Sequence, residues 1–271
     1  MAQFPSTTST SGKWTLKQHR RAVMGSNWPV NRTPSVEYLL VAGGGGSSHG
    51  GGGAGGLRTL SASITAGTQY TITVGGGGGG SGNQNNNGAN GQNSSAFGQS
   101  VTGGGRGGAI YAAGASGGSG GGAGSSNGGQ AYGGTSAGNA GGYTPVEGYG
   151  GGSSGVSNVA GGGGAGGLGQ NGNDGGAGGA GVTNTYSGSS VLYAKGGGNG
   201  STTTPVNTGT GGTFSGTVNV ADALNSGASG IVIIRYPSNF SLAASTTGSP
   251  QVSTTGGYNI YSFTGSGSIT F

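Results

Sequence analysis

Residues 161–181 read GGGGAGGLGQNGNDGGAGGAG, a stretch with almost no side chains from which to build a core or a cleft. Gly166, Gly169, Gly172, Gly175, Gly178 and Gly181 recur at every third position, each preceded by one of Ala165, Leu168, Asn171, Asp174, Ala177 and Ala180. A period of three fits neither an α-helix nor a β-strand. It is the period of the polyproline II helix, with three residues per turn and a rise of about 3.1 Å. On that reading the backbone is the packing surface, and Leu168, Asn171 and Asp174 share one outward edge.

Glycine accounts for 76 of the 271 residues, and 63 of these lie between residues 43 and 200. Collagen shares the period but needs proline in quantity, and Pro145 is the only proline in that span. A disordered linker is the other reading of a glycine-rich tract. This tract is far longer than a linker requires, carries little charge and is periodic. A polyglycine II bundle survives the comparison. A polyproline II strand makes no internal hydrogen bonds, so its buried N–H and C=O groups must find partners on neighbouring strands. Glycine keeps its N–H and has no Cβ to hold those neighbours apart. Inter-strand bonds of roughly 1 kcal/mol net each then have to offset the large ordering entropy of glycine.

The flanks read as β-strands. Val36 to Ala42 (VEYLLVA) is β-branched and aromatic, and Tyr70 to Val74 (YTITV) alternates cleanly. Gly230 to Tyr236 (GIVIIRY) is the most apolar run, and Tyr258 to Phe271 reads as two strands around Gly265-Ser266-Gly267. Strands at the two extremes of the chain are expected to pair. The predicted fold is mostly β and irregular: a small β-sheet platform from N- and C-terminal strands, an inserted polyglycine II bundle and one short N-terminal helix. The boundaries are 1–33, 34–76, 77–228 and 229–271.

Charge is scarce, at 5% of residues, and uneven. Lys13, Lys17, Arg20, Arg21 and Arg32 precede the first strand without an acid among them; Arg58, Arg106, Lys195 and Arg235 balance Glu37, Glu147, Asp174 and Asp222 in the rest. Nucleic-acid binding would want a basic stripe with interleaved aromatics, so no nucleic-acid partner is expected. Thr15 to Gly25 carries helix signals: a capping box of Thr15 with Gln18, and Gly25 as C-cap. Trp14 and Trp28, the two tryptophans, flank it. They suit either a partner contact or packing on the chain's own body. No run approaches the ~20 apolar residues of a membrane span, and the first residues lack the apolar centre of a signal peptide.

Short polar-aromatic segments separate the glycine runs, and they carry Phe97, Tyr111, Tyr132, Tyr143, Tyr149, Tyr186 and Tyr193. Tyrosines with amide and hydroxyl neighbours on rigid loops suit binding, sugars in particular; they equally suit filling gaps at the ends of a bundle. The order VEYLLVAGGGG, YTITVGGGGGG, a long glycine-rich body and GIVIIRYP resembles the glycine-rich tail-fibre and adhesin proteins of tailed bacteriophages, over Val36 to Pro237. The resemblance implies stacked polyglycine II helices with receptor-binding loops, here at the seven aromatics above. It also implies an N-terminal segment (Trp14, Leu16, Arg20, Arg21, Trp28) that attaches to other virion tail proteins. The expected partners are therefore tail proteins and a host-surface receptor, with a homotrimer as an option, and the expected location is the virion, released by lysis.

Catalytic chemistry is not indicated. Matches to Gly-x-Gly-x-x-Gly carry no information in this composition, and no GxxxxGK[ST] loop occurs. The chain has no cysteine, and His19 and His49 lie far apart, so neither a metal site nor a cofactor is expected. A purely structural fibre, spacer or decoration subunit is the alternative to an adhesin. An ice-binding bundle is a third reading, disfavoured by the irregular loops.

Overall fold

The structure, a computed structural model, describes residues 15–17, 20, 32–81, 83, 85–125, 135–155, 158–200, 205–214 and 225–271. It is mostly β. From Arg32 onward the one helical element among the described residues is a 3-10 turn, Gly172–Asp174. Twelve strands follow the chain: β1 (Ser35–Val41), β2 (Leu57–Ser63), β3 (Gln69–Thr73), β4 (Ser94–Ala96), β5 (Gln99–Val101), β6 (Val182–Asn184), β7 (Val191–Tyr193), β8 (Ile231–Pro237), β9 (Ser245–Thr247), β10 (Gln251–Thr255), β11 (Tyr258–Phe263) and β12 (Gly267–Thr270).

Two five-stranded antiparallel sheets form the platform, ordered β10-β11-β8-β1-β2 and β5-β4-β3-β12-β9. The extremes of the chain do pair: Glu37 stands opposite Arg235 and Val41 opposite Ile231 in β1 and β8. Side chains alternate along these strands, which gives the first sheet two apolar faces. Val36, Tyr38 and Leu40 join Val232, Ile234, Tyr236, Tyr261 and Phe263 against Ile72, Ala96, Val101, Ile269 and Phe271 of the second sheet and its ends. The opposite face puts Leu39, Val41, Ile231, Ile233 and Ile260 against Ala54, Tyr193 and Ala194. The first sheet is therefore a central layer, buried on both sides, which is why β8 reads as a nearly unbroken apolar run.

The platform is larger than the sequence suggests. β4 and β5 come from inside the glycine-rich tract and β6 and β7 form their own ribbon there. Strands of three residues have no periodicity long enough to read.

Between the strands, glycine runs pack by backbone alone. Run 50–56 shows the arrangement. Gly50, Gly53 and Gly56 donate to Gly108, Gly105 and Thr102 at 2.8, 2.7 and 2.8 Å. Gly51 and Ala54 donate to Ala160 and Gly163 at 3.0 and 2.9 Å, and Gly52 and Gly55 to Gly212 and Gly209, both at 2.9 Å. Its carbonyls accept in turn from Gly45, Ser119, Gly122 and Gly197. Each N–H thus turns to the same neighbour at every third residue, and other runs surround this one on all sides. A Cβ at Gly52 would overlap the Gly45 carbonyl oxygen, and one at Gly197 that of Gly212. Only glycine permits that approach.

The stretch 161–181 is folded back rather than straight. A turn links the paired residues Gly164 and Gly167, and the 3-10 turn ends at Gly175, whose φ of 96° is left-handed. Gly161 donates to Gln170 and Gln170 to Ala177, so three short antiparallel runs lie side by side. Leu168, Asn171 and Asp174 are all exposed, but the reversals keep them off the single edge expected of one rod. A period of three describes the local winding and is silent about where a left-handed glycine reverses the chain. The helix expected over Thr15 to Gly25 falls largely outside the described residues.

Candidate binding surfaces

The hydrogen-bond registers give the glycine body two ends. The chain leaves β1 at Val41 and returns to β2 at Leu57, so residues 43 and 56 lie beside the sheets and 47–50 lie at the far end. Pairing of Gly50 with Gly108, Gly51 with Ala160 and Gly172 with Ser153, and the bond from the Ser48 hydroxyl to the Asn86 carbonyl, bring 85–87, 109–112, 153–155 and 171–176 to the same far end. Asparagine side chains hold these turns. Asn83 Oδ1 accepts the N–H groups of Asn85 and Asn86 at 3.0 and 3.2 Å, and Asn171 Oδ1 accepts the N–H and hydroxyl of Ser153, both at 2.9 Å. His49, buried among them, accepts the Ser125 N–H through Nδ1 at 3.2 Å. Tyr111 stands here on a turn with φ 63° and 54% of its surface exposed.

A second set of asparagines links two runs along the body. Asn93, Asn90 and Asn87 accept the N–H groups of Gly103, Arg106 and Ala109 through Oδ1, at 2.8, 2.9 and 3.0 Å. Side chains three apart reach one neighbour only where the backbone makes about three residues per turn. The spacing N-x-x-N-x-x-N was visible in the sequence, inside a segment read as loop.

The remaining aromatics sit on the platform side. Tyr143 donates or accepts a hydroxyl bond with Ser100 at 2.9 Å, and the Arg58 guanidinium lies 4.2 Å over its ring. Beneath this loop the buried Glu147 carboxylate accepts the N–H groups of Thr102 at 2.8 Å and Gly141 at 3.1 Å. No local pattern could have revealed that partner, which is distant in sequence. Tyr149 is 40% exposed, on a run next to the exposed Leu168. Arg235 lies between two rings, 3.6 Å from Tyr186 and 4.4 Å from Tyr258, and its Nε donates to Glu37 at 2.8 Å. Burial, then the Glu37 carboxylate, holds the Tyr186 phenol above its ordinary value.

Two of the sequence candidates are core residues. Tyr193 is 2% exposed and packs under the first sheet, with its phenol pushed up by burial. Phe97 is half-buried, with its ring 4.9 Å from Tyr38 and 5.1 Å from Tyr70. Tyr193 presents no surface, and Phe97 keeps only part of its own exposed, because each packs against an apolar cluster of the sheets. Tyr132, Trp14, Arg21 and Trp28 lie outside the described residues. Leu16 and Arg20 are exposed. The structure therefore separates the aromatics: Tyr111 is at the far end, while Tyr143, Tyr149 and Tyr186 stay on the platform side.

No group of three or more metal-ligating side chains occurs among the described residues, and none of their helices is long and apolar enough to cross a membrane. The glycine-rich domain family matches residues 22–237. The chain belongs to that family. No curated protein and no solved structure matches it. The glycine-rich domain so defined starts ahead of β1 and runs to the end of β8, so it takes in the whole glycine body. It leaves β9 to β12 outside, although β11 pairs with β8 and β12 with β3.

Proposed function

We propose that this chain is the receptor-binding protein of a tailed-phage tail fibre, in which a polyglycine II-type bundle displays loops to the host surface. The observation that carries the reading is the three-residue rotation of hydrogen-bond partners in run 50–56, which the Asn87, Asn90 and Asn93 ladder repeats with side chains. A bundle satisfied in this way is stiff without a side-chain core, and it projects its turns away from the sheets. Tyr111 and the exposed Asn83, Asn85, Asn86 and Asn173 would then meet the receptor, a glycan or an outer-membrane protein. The N-terminal segment 1–33 would attach the chain to the tail.

The test is competition. Purified protein should slow adsorption of particles that carry it to their host cells, and a Tyr111→Ala, Asn85→Ala, Asn86→Ala variant with unchanged melting should not. If the variant competes as well as the parent, the far end is not the receptor surface. A structural spacer is favoured by the burial of Tyr193, the packing of Phe97 against the sheet core and the engagement of Tyr186 with Arg235. Absence of any competition by the parent protein, with normal incorporation into particles, would select it.

A further inference from the structure

We propose that the sheet edge formed by β9 and β10 is a homodimer interface, on which β10 of one chain pairs antiparallel with β10 of a second copy. The inference stands apart from the receptor-binding reading. β10 ends the first sheet and β9 ends the second. They are joined by residues 248–250, so both edges lie on one side of the sandwich. Every residue of both strands is exposed.

Monomeric proteins blunt such edges with very short strands, charged side chains, in-strand proline, bulges or a covering loop. β9 is itself only three residues long, but along β10 none of the other devices is present among the described residues. No charged side chain occurs between Arg235 and Phe271, and Pro250 lies in the turn, outside both strands. The pairing of β10 with β11 runs through five consecutive positions without a bulge, from Gln251 opposite Ser262 to Thr255 opposite Tyr258.

The opposite side of the sandwich shows what protection looks like in this fold. There β2 and β5 are the edges, and residues 139–147 engage them at Leu57, Arg58 and Ser100. Leu57 donates to the Glu147 carbonyl at 2.9 Å, Tyr143 bonds Ser100, and Arg58 reaches Ser100 as well as the Tyr143 ring. Among the described residues, one side is engaged in this way and the outer edges of β9 and β10 are bare.

A second copy fits the bare edge by chemistry. A foreign strand would be chosen by charge or by side-chain pockets, and QVSTT offers neither, so recognition falls to the main chain. Turned about a two-fold axis at Ser253, the strand meets itself with Gln251 opposite Thr255 and Val252 opposite Thr254. That sets an aliphatic side chain against a methyl-bearing one and opposes no like charges. The contact is isologous and closes at two copies.

Sedimentation velocity on the full chain at micromolar concentration tests the proposal. The expected species has twice the 25.2 kDa of one chain. Gln251→Lys with Thr255→Lys places like charges opposite each other across the axis and should leave a monomer with unaltered melting. Gln251→Lys with Thr255→Glu opposes unlike charges at the same positions and should restore the dimer. A monomeric parent chain at tens of micromolar overturns the proposal. So does a trimer, or a dimer indifferent to both substitutions, because each requires another surface.

Discussion

Arg235 and Tyr186 bolt the glycine body to the platform: the guanidinium of a β8 residue lies 3.6 Å from a ring carried by the turn after β6. Glu37, opposite Arg235 in β1, fixes the direction of the guanidinium through a 2.8 Å bond to Nε. Arg235→Lys keeps the charge and loses the planar stack on Tyr186 and Tyr258. A desolvated cation–ring contact contributes about 0.5–2 kcal/mol, and an arginine fork is not replaced by an ammonium. The melting midpoint should therefore fall by a few degrees, roughly 2–4 °C per kcal/mol for a chain of this size, as read by calorimetry.

The asparagine ladder predicts a local effect with a built-in control. Asn90→Ala removes the acceptor of the Arg106 N–H, at a cost of about 1 kcal/mol where water can enter. Asn90→Asp keeps an acceptor in the same place. Amide exchange at Arg106 should accelerate in the first variant and stay slow in the second.

Glycine positions should divide sharply by surroundings. Gly52→Ala drives a Cβ into the Gly45 carbonyl inside the body, and backbone on every side prevents relief. The expected loss is about 4 kcal/mol or more, the range of severe overpacking. At Gly79 an added Cβ meets nothing within 4 Å. Gly79→Ala should be neutral or slightly stabilising, because it restricts the unfolded chain. Denaturant melts of the two variants check the contrast.

Alkaline pH should unfold the platform through its buried phenols. Tyr38, Tyr186, Tyr193 and Tyr236 all have pKa values above the ordinary 10.0, with burial as the first cause in each. For Tyr236 the hydroxyl bond with Tyr261 adds to it. A phenol whose folded value is raised binds its proton more tightly in the native state. Its contribution to stability is complete below pH 10 and is lost as pH rises through the folded value. Absorbance of tyrosinate should therefore show a step that coincides with loss of the β signal in circular dichroism.

How far the sequence reached is clearest in three places. β1, β3, β8 and the β11–β12 hairpin were legible, because each is an apolar or alternating run long enough to show its period. β2, LRTLSAS, was not, since it lies half-exposed at an edge and lacks a clean alternation. β9 and β10 are wholly exposed strings of Ser, Thr and Gln with a single valine, so burial left no mark on them. Among the candidate residues, aromatic character alone could not separate the exposed Tyr111 from the buried Tyr193.

By itself, then, the sequence determined the class of structure: β-strands at both ends and a backbone-packed glycine body between them. Its three-residue period follows from local steric freedom, which is written in consecutive residues. Only the tertiary structure decided where that body turns, which run each N–H meets, and which tyrosines face water. Those depend on contacts such as Gly52 with Gly212 and Glu147 with Thr102. Glycine offers no side chain to encode its partner, so in this protein the choice of neighbour exists only in the folded state.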